Sequence, residues 1–337
     1  MRCVTIRLME AHDSLGIVGH KWAVKLLRQA VEAGSVSHAY LFTGPPGVGK
    51  TTLARALARA LLCQGEEAPC GDCRACRLVA SGNHPDLHVV ESEQPGDSLK
   101  IDQVRDLQHQ LSLTPLEARW RVAILRRFEE ATTSAANALL KTLEEPPAYV
   151  VLAVLARDAD TLLPTIVSRC QQVNLHPLPA PQVERALVER WGADPEQAKL
   201  LAHLSGGRLG WAVRTLEDSA GLQRRAQRLD ELGELLNAPI TARFRYAERL
   251  ARDPIATQET LDLWLGWWRD VLLLAAEANA PLTNIDRVSA LRDHARRFGV
   301  ERSTALVEAV RSAADHLKCN ANPRLTLEVL LLDLPRP

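Results

Sequence analysis

The feature that most constrains the fold of this chain is a glycine-rich turn between an apolar strand and a helix. Residues 39–52 read Ala-Tyr-Leu-Phe-Thr-Gly-Pro-Pro-Gly-Val-Gly-Lys-Thr-Thr, which satisfies the Walker A pattern of phosphate-binding loops. Backbone N–H groups freed by Gly47 and Gly49 can converge on phosphate oxygens, and the helix that begins near Lys50 adds its positive dipole end. Lys50 would neutralise the outer phosphates, and Thr51 would offer a hydroxyl to Mg²⁺. We therefore predict a site for ATP or ADP, formed by Gly44, Pro45, Pro46, Gly47, Val48, Gly49, Lys50, Thr51 and Thr52.

Length and charge limit the remaining possibilities. A chain of 337 residues suggests two or three domains. Lys plus Arg total 41, and Asp plus Glu also total 41, so the net charge is zero. The chain therefore lacks the excess of positive charge that would indicate binding to nucleic acid or to an acidic membrane. The N-terminus lacks the apolar core of a signal peptide, and no segment is long enough to span a bilayer. We predict a cytoplasmic protein without a membrane partner.

Four of the seven cysteines are close together in the sequence. Cys63, Cys70, Cys73 and Cys76 are separated by six, two and two residues. Four thiolates form a closed tetrahedral ligand set, which is typical of structural rather than catalytic Zn²⁺. The remaining cysteines, which we predict to be free thiols, are Cys3, Cys170 and Cys319.

The periodicity of apolar residues changes along the chain. Apolar strands at 39–42, 122–125 and 149–155 alternate with helical patterns, which predicts a parallel sheet covered on both faces. After the prolines at 177, 179 and 181 only helical patterns follow, so the fold class is α/β plus all-α. Trp264, Trp267 and Trp268 share one helix stripe with few basic neighbours. This pattern indicates a core or a subunit interface and not a stacking platform for nucleic acid.

Four motifs together resemble the bacterial DNA polymerase III clamp-loader AAA+ proteins over residues 15–175. They are Ser37–Thr51, the four-cysteine module, Asn-Ala-Leu-Leu-Lys-Thr-Leu-Glu-Glu-Pro-Pro at 137–147, and Ser-Arg-Cys at 168–170. The resemblance implies an AAA+ P-loop NTPase core with a parallel sheet, a zinc-binding insertion, a helical lid and a C-terminal helical collar. The implied domains are 1–176 with the zinc module at 63–76, then the lid at 177–212, then the collar at 213–337.

Within this family, missing acidic residues separate the motor (gamma/tau) class from the delta-prime class. An ATPase needs a carboxylate pair after a core strand, one acid for Mg²⁺ and one for the attacking water. In the motor class the two acids lie at a fixed spacing before the residue that matches Asn137. At that spacing this chain has Arg126 and Arg127. Guanidinium groups have no acceptor and stay protonated, so neither can replace a carboxylate. The resemblance places Arg157 and Leu209 where the motor class carries its polar sensors, and Arg208 lies beside the second position. We expect the delta-prime class, with little or no intrinsic ATP hydrolysis.

The resemblance also implies an assembly. It implies a heteropentamer with the motor (gamma/tau) subunits and delta, which acts on a sliding clamp and primer-template DNA in DNA replication. Within it, the Ser-Arg-Cys motif implies that Arg169 is an arginine finger for the ATP of a neighbouring subunit. A guanidinium in that role stabilises charge that develops on the transferred phosphoryl group.

Two alternatives stay open at the sequence level. Glu129 and Glu130 could replace the missing acids if the strand continued through Phe128, and the chain would then be an active gamma/tau-type ATPase. The chain could instead be a zinc-bearing AAA+ adaptor that binds DNA directly, which a basic stripe along its inner helices would favour.

Overall fold

A computed structural model describes residues 17–65, 68–94, 96–218, 220–319 and 321–335. These residues divide into two compact units. The first contains the described residues up to Gln182 and Arg208–Trp211, and the second contains Val183–Gly207 and the described residues from Ala212 onward. Cys3, which we predict to be a free thiol, lies outside the described residues. None of the described helices combines the length and the apolar composition that crossing a bilayer requires.

Within the described residues, a parallel sheet of five strands forms the centre of the first unit. The strands are β1 (Ala39–Thr43), β2 (Leu87–Val90), β3 (Arg121–Leu125), β4 (Val150–Leu155) and β5 (Gln171–Asn174). Their spatial order is β2-β3-β4-β1-β5, and every neighbouring pair is parallel. All residues of β1, β3 and β4 are buried, as expected for a parallel sheet with both faces covered.

The helices follow the strands in alternation through the first unit and then continue alone. They are α1 (Lys21–Glu32), α2 (Lys50–Leu62), α3 (Arg74–Ser81), α4 (Ile101–Ser112), α5 (Thr133–Glu144), α6 (Pro164–Val167), α7 (Ala180–Trp191), α8 (Pro195–Leu204), α9 (Leu209–Glu217), α10 (Ala220–Leu235), α11 (Ile240–Leu250), α12 (Pro254–Ala275), α13 (Val288–Lys318) and α14 (Pro323–Asp333). This order confirms the α/β plus all-α fold class. The predicted boundary at 212/213 falls inside α9, and the division into three domains stays a prediction.

The side chains of the sheet alternate between two cores. Tyr40 and Phe42 of β1 pack in one core with the apolar face of α2. Leu41 points to the opposite face and packs in a second core with residues of α4 and α5. Successive residues of a strand point to opposite faces, so one apolar strand supports both layers of helices. The sheet thereby holds the turn after β1 firmly at its carboxyl edge.

Strand β2 is an element that sequence reasoning missed. Its four residues lie at the edge of the sheet, beside β3, and only Leu87 is buried. A short, half-exposed edge strand carries little hydrophobic signal, which explains why the pattern did not reveal it. The strand matters because its carboxyl end brings Glu91 beside the residues that follow β3.

The tryptophan stripe of α12 lies in the core of the second unit. Trp264, Trp267 and Trp268 are buried, and the Trp267 indole N–H donates to His294 Nδ1 at 3.2 Å. The Trp268 ring meets Phe298 edge to face, with 5.6 Å between ring centroids. The prediction of a core role is therefore confirmed.

Candidate nucleotide and metal sites

The glycine-rich loop lies between β1 and the first turn of α2, as predicted. Gly44, Gly47 and Gly49 have φ angles of 137°, 83° and 115°, a region that other residues rarely adopt. A Cβ atom on Gly44 would lie 2.3 Å from the carbonyl oxygen of Leu175. The loop therefore requires glycine at this position for both its backbone angle and its space. The nine predicted nucleotide-binding residues are continuous in space: residues 44–49 form the turn, and residues 50–52 form the start of α2.

Lys50 is held inside this loop. Its ammonium donates to the carbonyl oxygens of Gly44 and Pro45, the second at 3.2 Å. Burial lowers the pKa of Lys50 to about 8; the charge of Glu129 opposes this shift, and that of Arg157 adds to it. At pH 7 the side chain is therefore a partly desolvated cation, and such a cation attracts phosphate more strongly than an exposed one.

Two further segments brace the loop. His20 Nε2 lies 2.9 Å from the carbonyl oxygen of Val48, and the backbone N–H of Gly210 donates to the Gly47 oxygen at 2.8 Å. A Cβ atom on Gly210 would lie only 3.0 Å from that oxygen, so the start of α9 approaches the loop as closely as a backbone can. The neighbouring Arg208, considered as a sensor, stacks on Trp211 with 5.9 Å to the ring centroid.

The two arginines at the positions predicted for an acidic pair form ion pairs with carboxylates. Arg126 Nη1 lies 3.0 Å from Glu91, and Arg127 bridges the other Glu91 oxygen and Glu130, each at 2.9 Å. Glu130 also accepts from the Ser92 hydroxyl and, at 3.0 Å, from the Gly96 backbone N–H. Glu130 is thus occupied by structural hydrogen bonds.

The alternative of a displaced acidic pair required β3 to continue through Phe128. The strand ends at Leu125 instead, and a 3₁₀ turn covers Phe128–Glu130 after Arg127, whose φ is 49°. The condition for moving both acids into the catalytic positions is therefore not met. Glu129 differs from Glu130, because its charge acts on Lys50.

Arg169, the candidate arginine finger, follows α6 and is about one-third exposed. Its Nη2 lies 2.8 Å from a carboxylate oxygen of Glu144, and its Nη1 donates to the Thr165 carbonyl at 3.0 Å. Glu144 belongs to the Leu-Glu-Glu-Pro-Pro segment at the end of α5. Since both partners are partly exposed, the ion pair is weak enough to be exchanged for another anion.

The four clustered cysteines converge on one point. All four Sγ atoms lie within 4.8 Å of one another, and individual pairs lie at 3.6, 3.9 and 4.0 Å. A tetrahedral zinc with Zn–S bonds of about 2.3 Å places its sulfur atoms about 3.8 Å apart, so the cluster fits a metal of this kind. Burial raises the pKa of the Cys73 thiol, but hydrogen bonds from backbone N–H groups and neighbouring thiols outweigh it and lower that pKa to about 6. A thiol with a lowered pKa is readily deprotonated and suited to bind a metal, whereas burial raises the pKa of the Cys63 and Cys76 thiols.

The other described cysteines differ in exposure. Cys170 is buried, and this burial raises the pKa of its thiol to about 11. Cys319 is exposed. Both are free thiols, as predicted.

Comparison with known proteins identifies the family. The model of the "DNA polymerase III, delta subunit" family matches residues 19–179, and that of its C-terminal domain matches residues 219–335. The chain is 33% identical to DNA polymerase III subunit delta' of Bacillus subtilis over 92% of its own length and 94% of that protein. The chain belongs to the delta-prime family. It is also 40% identical to subunit delta' of Pseudomonas aeruginosa, over 66% of this chain and 69% of that one.

The related motor class also matches this chain. Subunit gamma/tau of Mycobacterium tuberculosis is 29% identical over 95% of this chain, but the match covers only 60% of that protein. The sequence motifs predicted a member of the clamp-loader family that is closest to delta-prime and related to gamma/tau. This prediction is confirmed. The parallel five-stranded sheet of the first unit confirms the α/β core that the resemblance implied.

Several residues of this delta-prime site were not found by sequence reasoning. Glu91 and Glu144, the partners of the arginines, are distant in sequence from the residues they bind. His20 lies directly before α1, and its contact with Val48, 28 residues away, left no local pattern. Of the acids at this site, only Glu129 and Glu130 were candidates from the sequence. In the structure Glu130 is bound to Arg127, Ser92 and Gly96, whereas the charge of Glu129 acts on Lys50.

Proposed function

We propose that this protein is the delta-prime subunit of a DNA polymerase III clamp loader, a stator that supports loading of the sliding clamp onto primed DNA. The observation that carries the proposal is the pair Arg126 and Arg127, which replaces the acids of a motor ATPase and is tied into ion pairs with Glu91 and Glu130. Two guanidinium groups at these positions leave the site without a base for the attacking water. The chain therefore hydrolyses ATP slowly or not at all by itself.

The stator acts through its neighbours in the proposed heteropentamer of motor (gamma/tau) subunits and delta. Arg169 is exposed enough to reach another chain, and its weak pair with Glu144 can give way to a phosphate. The finger would complete the ATP site of an adjacent motor subunit. In this arrangement the chain contributes to hydrolysis without carrying it out.

The phosphate loop fits a nucleotide in this proposal. Its glycine angles, the cation of Lys50 and the hydroxyl of Thr51 are the groups that a di- or triphosphate requires. Backbone N–H groups at the start of α2 would orient the phosphates, and Lys50 would neutralise them. Bound nucleotide would then stabilise the loop and the adjoining start of α9 without being consumed.

The direct test compares ATP turnover of the purified chain with that of a reconstituted assembly. We expect no turnover above background from the chain alone, and clamp-stimulated turnover from the motor and delta subunits only when the chain is added. Robust turnover by the chain alone, abolished by Glu129→Gln or Glu130→Gln, would instead identify an active motor.

We propose that the cysteine cluster binds one structural zinc. Elemental analysis of the purified chain should find about one zinc per molecule, and Cys76→Ser should reduce it by about an order of magnitude or more, because three thiolates bind far more weakly than four. Cys319→Ser removes an exposed thiol outside the cluster and should leave the zinc content unchanged. Equal loss of metal in both variants would contradict the assignment.

We propose that the exposed face of α14 contacts the C-terminal helical domain of a neighbouring clamp-loader subunit. Leu325, Val329 and Leu332 lie at helical spacing and are 59%, 60% and 43% exposed. Replacing all three with serine should weaken assembly by about 10²-fold, since each apolar anchor contributes about 1 kcal/mol. Sedimentation of mixtures would measure this, with Leu116→Ser, which is 73% exposed on the first unit, as the control. Unchanged assembly by the triple variant would place the interface elsewhere.

A further inference from the structure

Glu129 has an oxygen that is buried without a hydrogen-bond partner. Within the described residues, Glu129 Oε2 is enclosed by protein and accepts no hydrogen bond. Leaving a buried carboxylate oxygen unpaired is costly, because the group loses water and gains nothing in exchange. Such an atom calls for an explanation that the other contacts of the chain do not supply.

The surroundings of this carboxylate are those of the phosphate site. Glu129 lies in the 3₁₀ turn that follows β3, at the carboxyl edge of the parallel sheet. Its charge acts on Lys50 of the phosphate loop, as does the opposing charge of Arg157. Gly44 of the loop donates its backbone N–H to the Arg157 carbonyl at 3.1 Å, so the end of β4 is bonded directly to the loop.

The neighbouring charged groups are already paired with one another. Arg126, Arg127 and Glu130 form ion pairs with Glu91 or with each other. Glu130 is further bound to Ser92 and Gly96. Among the described acids that follow β3, Glu129 is therefore the one with a buried oxygen that has no hydrogen-bond partner.

A divalent cation such as Mg²⁺ would supply the missing partner. Protein sites for this ion use one or two carboxylates together with phosphate oxygens and waters. We propose that Glu129 is the metal-facing acid of this site, and that it holds the Mg²⁺ of a bound nucleoside di- or triphosphate together with the hydroxyl of Thr51. The inference rests on the proposed nucleotide binding and identifies the ligand as the magnesium complex of the nucleotide.

A single carboxylate at this position would allow the Mg²⁺–nucleotide complex to bind without being hydrolysed. A hydrolytic site of this class needs one acid for the metal and another to activate water. Glu129 fills the first role, and the second stays vacant because Arg127 occupies its place in the chain. The site is therefore expected to bind nucleotide in a Mg²⁺-dependent manner without turning it over.

The test measures nucleotide affinity by calorimetry with ADP and with ATP, each in Mg²⁺ and in EDTA. For the natural chain we expect binding about tenfold or more tighter in Mg²⁺. Glu129→Gln should remove this dependence, so that its affinities in Mg²⁺ and EDTA agree within about twofold. Glu93→Gln, which neutralises an exposed acid shortly after the end of β2, should behave like the natural chain. Thermal melting of all three proteins verifies that they are folded.

Two outcomes would overturn the inference. If Glu129→Gln keeps its Mg²⁺ dependence, or tightens binding equally in Mg²⁺ and EDTA, the carboxylate only balances the charge of Lys50. If the natural chain binds no nucleotide, the metal role is also excluded. Neither result affects the proposed stator function, because Arg169 acts on the nucleotide of a neighbouring subunit and is tested by turnover of the assembly.

Discussion

Arg169→Ala is expected to slow ATP hydrolysis by about 10³-fold or more at the motor site that Arg169 is proposed to complete. In that role the guanidinium would stabilise charge that develops on the transferred phosphoryl group, and alanine would leave that charge uncompensated. The variant should still fold and assemble, because the side chain is partly exposed and its ion pair with Glu144 contributes little to stability. The expected defect is therefore confined to chemistry.

The measurement is phosphate release during the first turnover of the reconstituted assembly. In the assembly with Arg169→Ala, the motor site next to this chain should release no phosphate in the initial burst. The sites between motor subunits should release the same amount as in the natural assembly. Arg105→Ala is a suitable control, because Arg105 is also exposed and forms a long ion pair of 3.7 Å with Asp102. An unchanged burst from Arg169→Ala would exclude the finger. Glu144→Ala should preserve the burst, since it removes only the resting partner of the arginine.

Asp86→Ala is expected to cost about 3–5 kcal/mol of unfolding free energy, because it leaves a buried cation without its partner. Asp86 is fully buried and accepts backbone N–H bonds from Leu116, Glu117 and Ala118 at 2.7, 2.8 and 3.0 Å. It also lies 3.4 Å from the guanidinium of Arg121, which is itself buried. One carboxylate thus holds the turn before β3 and neutralises a charge inside the protein.

The same carboxylate predicts a pH dependence. Burial alone would raise the pKa of Asp86, but the three backbone N–H bonds and Arg121 outweigh it and hold the pKa below its ordinary value. Because the folded pKa is depressed, this stabilisation is fully present above the ordinary pKa of an aspartate and is lost as pH falls through the folded value. The difference in stability between the natural chain and Asp86→Ala should therefore shrink in acid.

Urea denaturation at several pH values measures both effects. Asp102→Ala removes a carboxylate that is 82% exposed and should change stability by less than about 0.5 kcal/mol. A loss below about 1 kcal/mol for Asp86→Ala would mean that the turn finds other partners for its N–H groups.

Local patterns predicted the parts of the site that lie close together in the chain. The phosphate loop was predictable because the glycines, Lys50 and the flanking strand and helix are contiguous, and their geometry follows from backbone sterics. The cysteine cluster was predictable because short spacings let the thiols meet around one tight turn. The buried stripe of Trp264, Trp267 and Trp268 followed from helical periodicity.

The carboxylate partners of the arginines could not be predicted from local sequence patterns. Arg126 meets Glu91 across 35 residues, and only the pairing of β2 with β3 brings them together. Arg169 meets Glu144 because α6 packs near the end of α5. Such ion pairs depend on which strand and helix ends become neighbours, and that choice is made by the packing of the whole sheet.

The sequence by itself determined that this protein has a phosphate-loop pattern on an α/β core, a cluster of four cysteines and a helical second half, and its family resemblance assigned Arg126 and Arg127 to the positions of an acidic pair. The first three depend on residue types and spacings that are close together in the chain. Only the tertiary structure decided that Glu130 is occupied by Arg127, Ser92 and Gly96, while one buried oxygen of Glu129 has no partner among the residues that the structure describes. The two acids are adjacent in sequence and chemically identical, so their roles differ only through the neighbours that the folded sheet gives each of them.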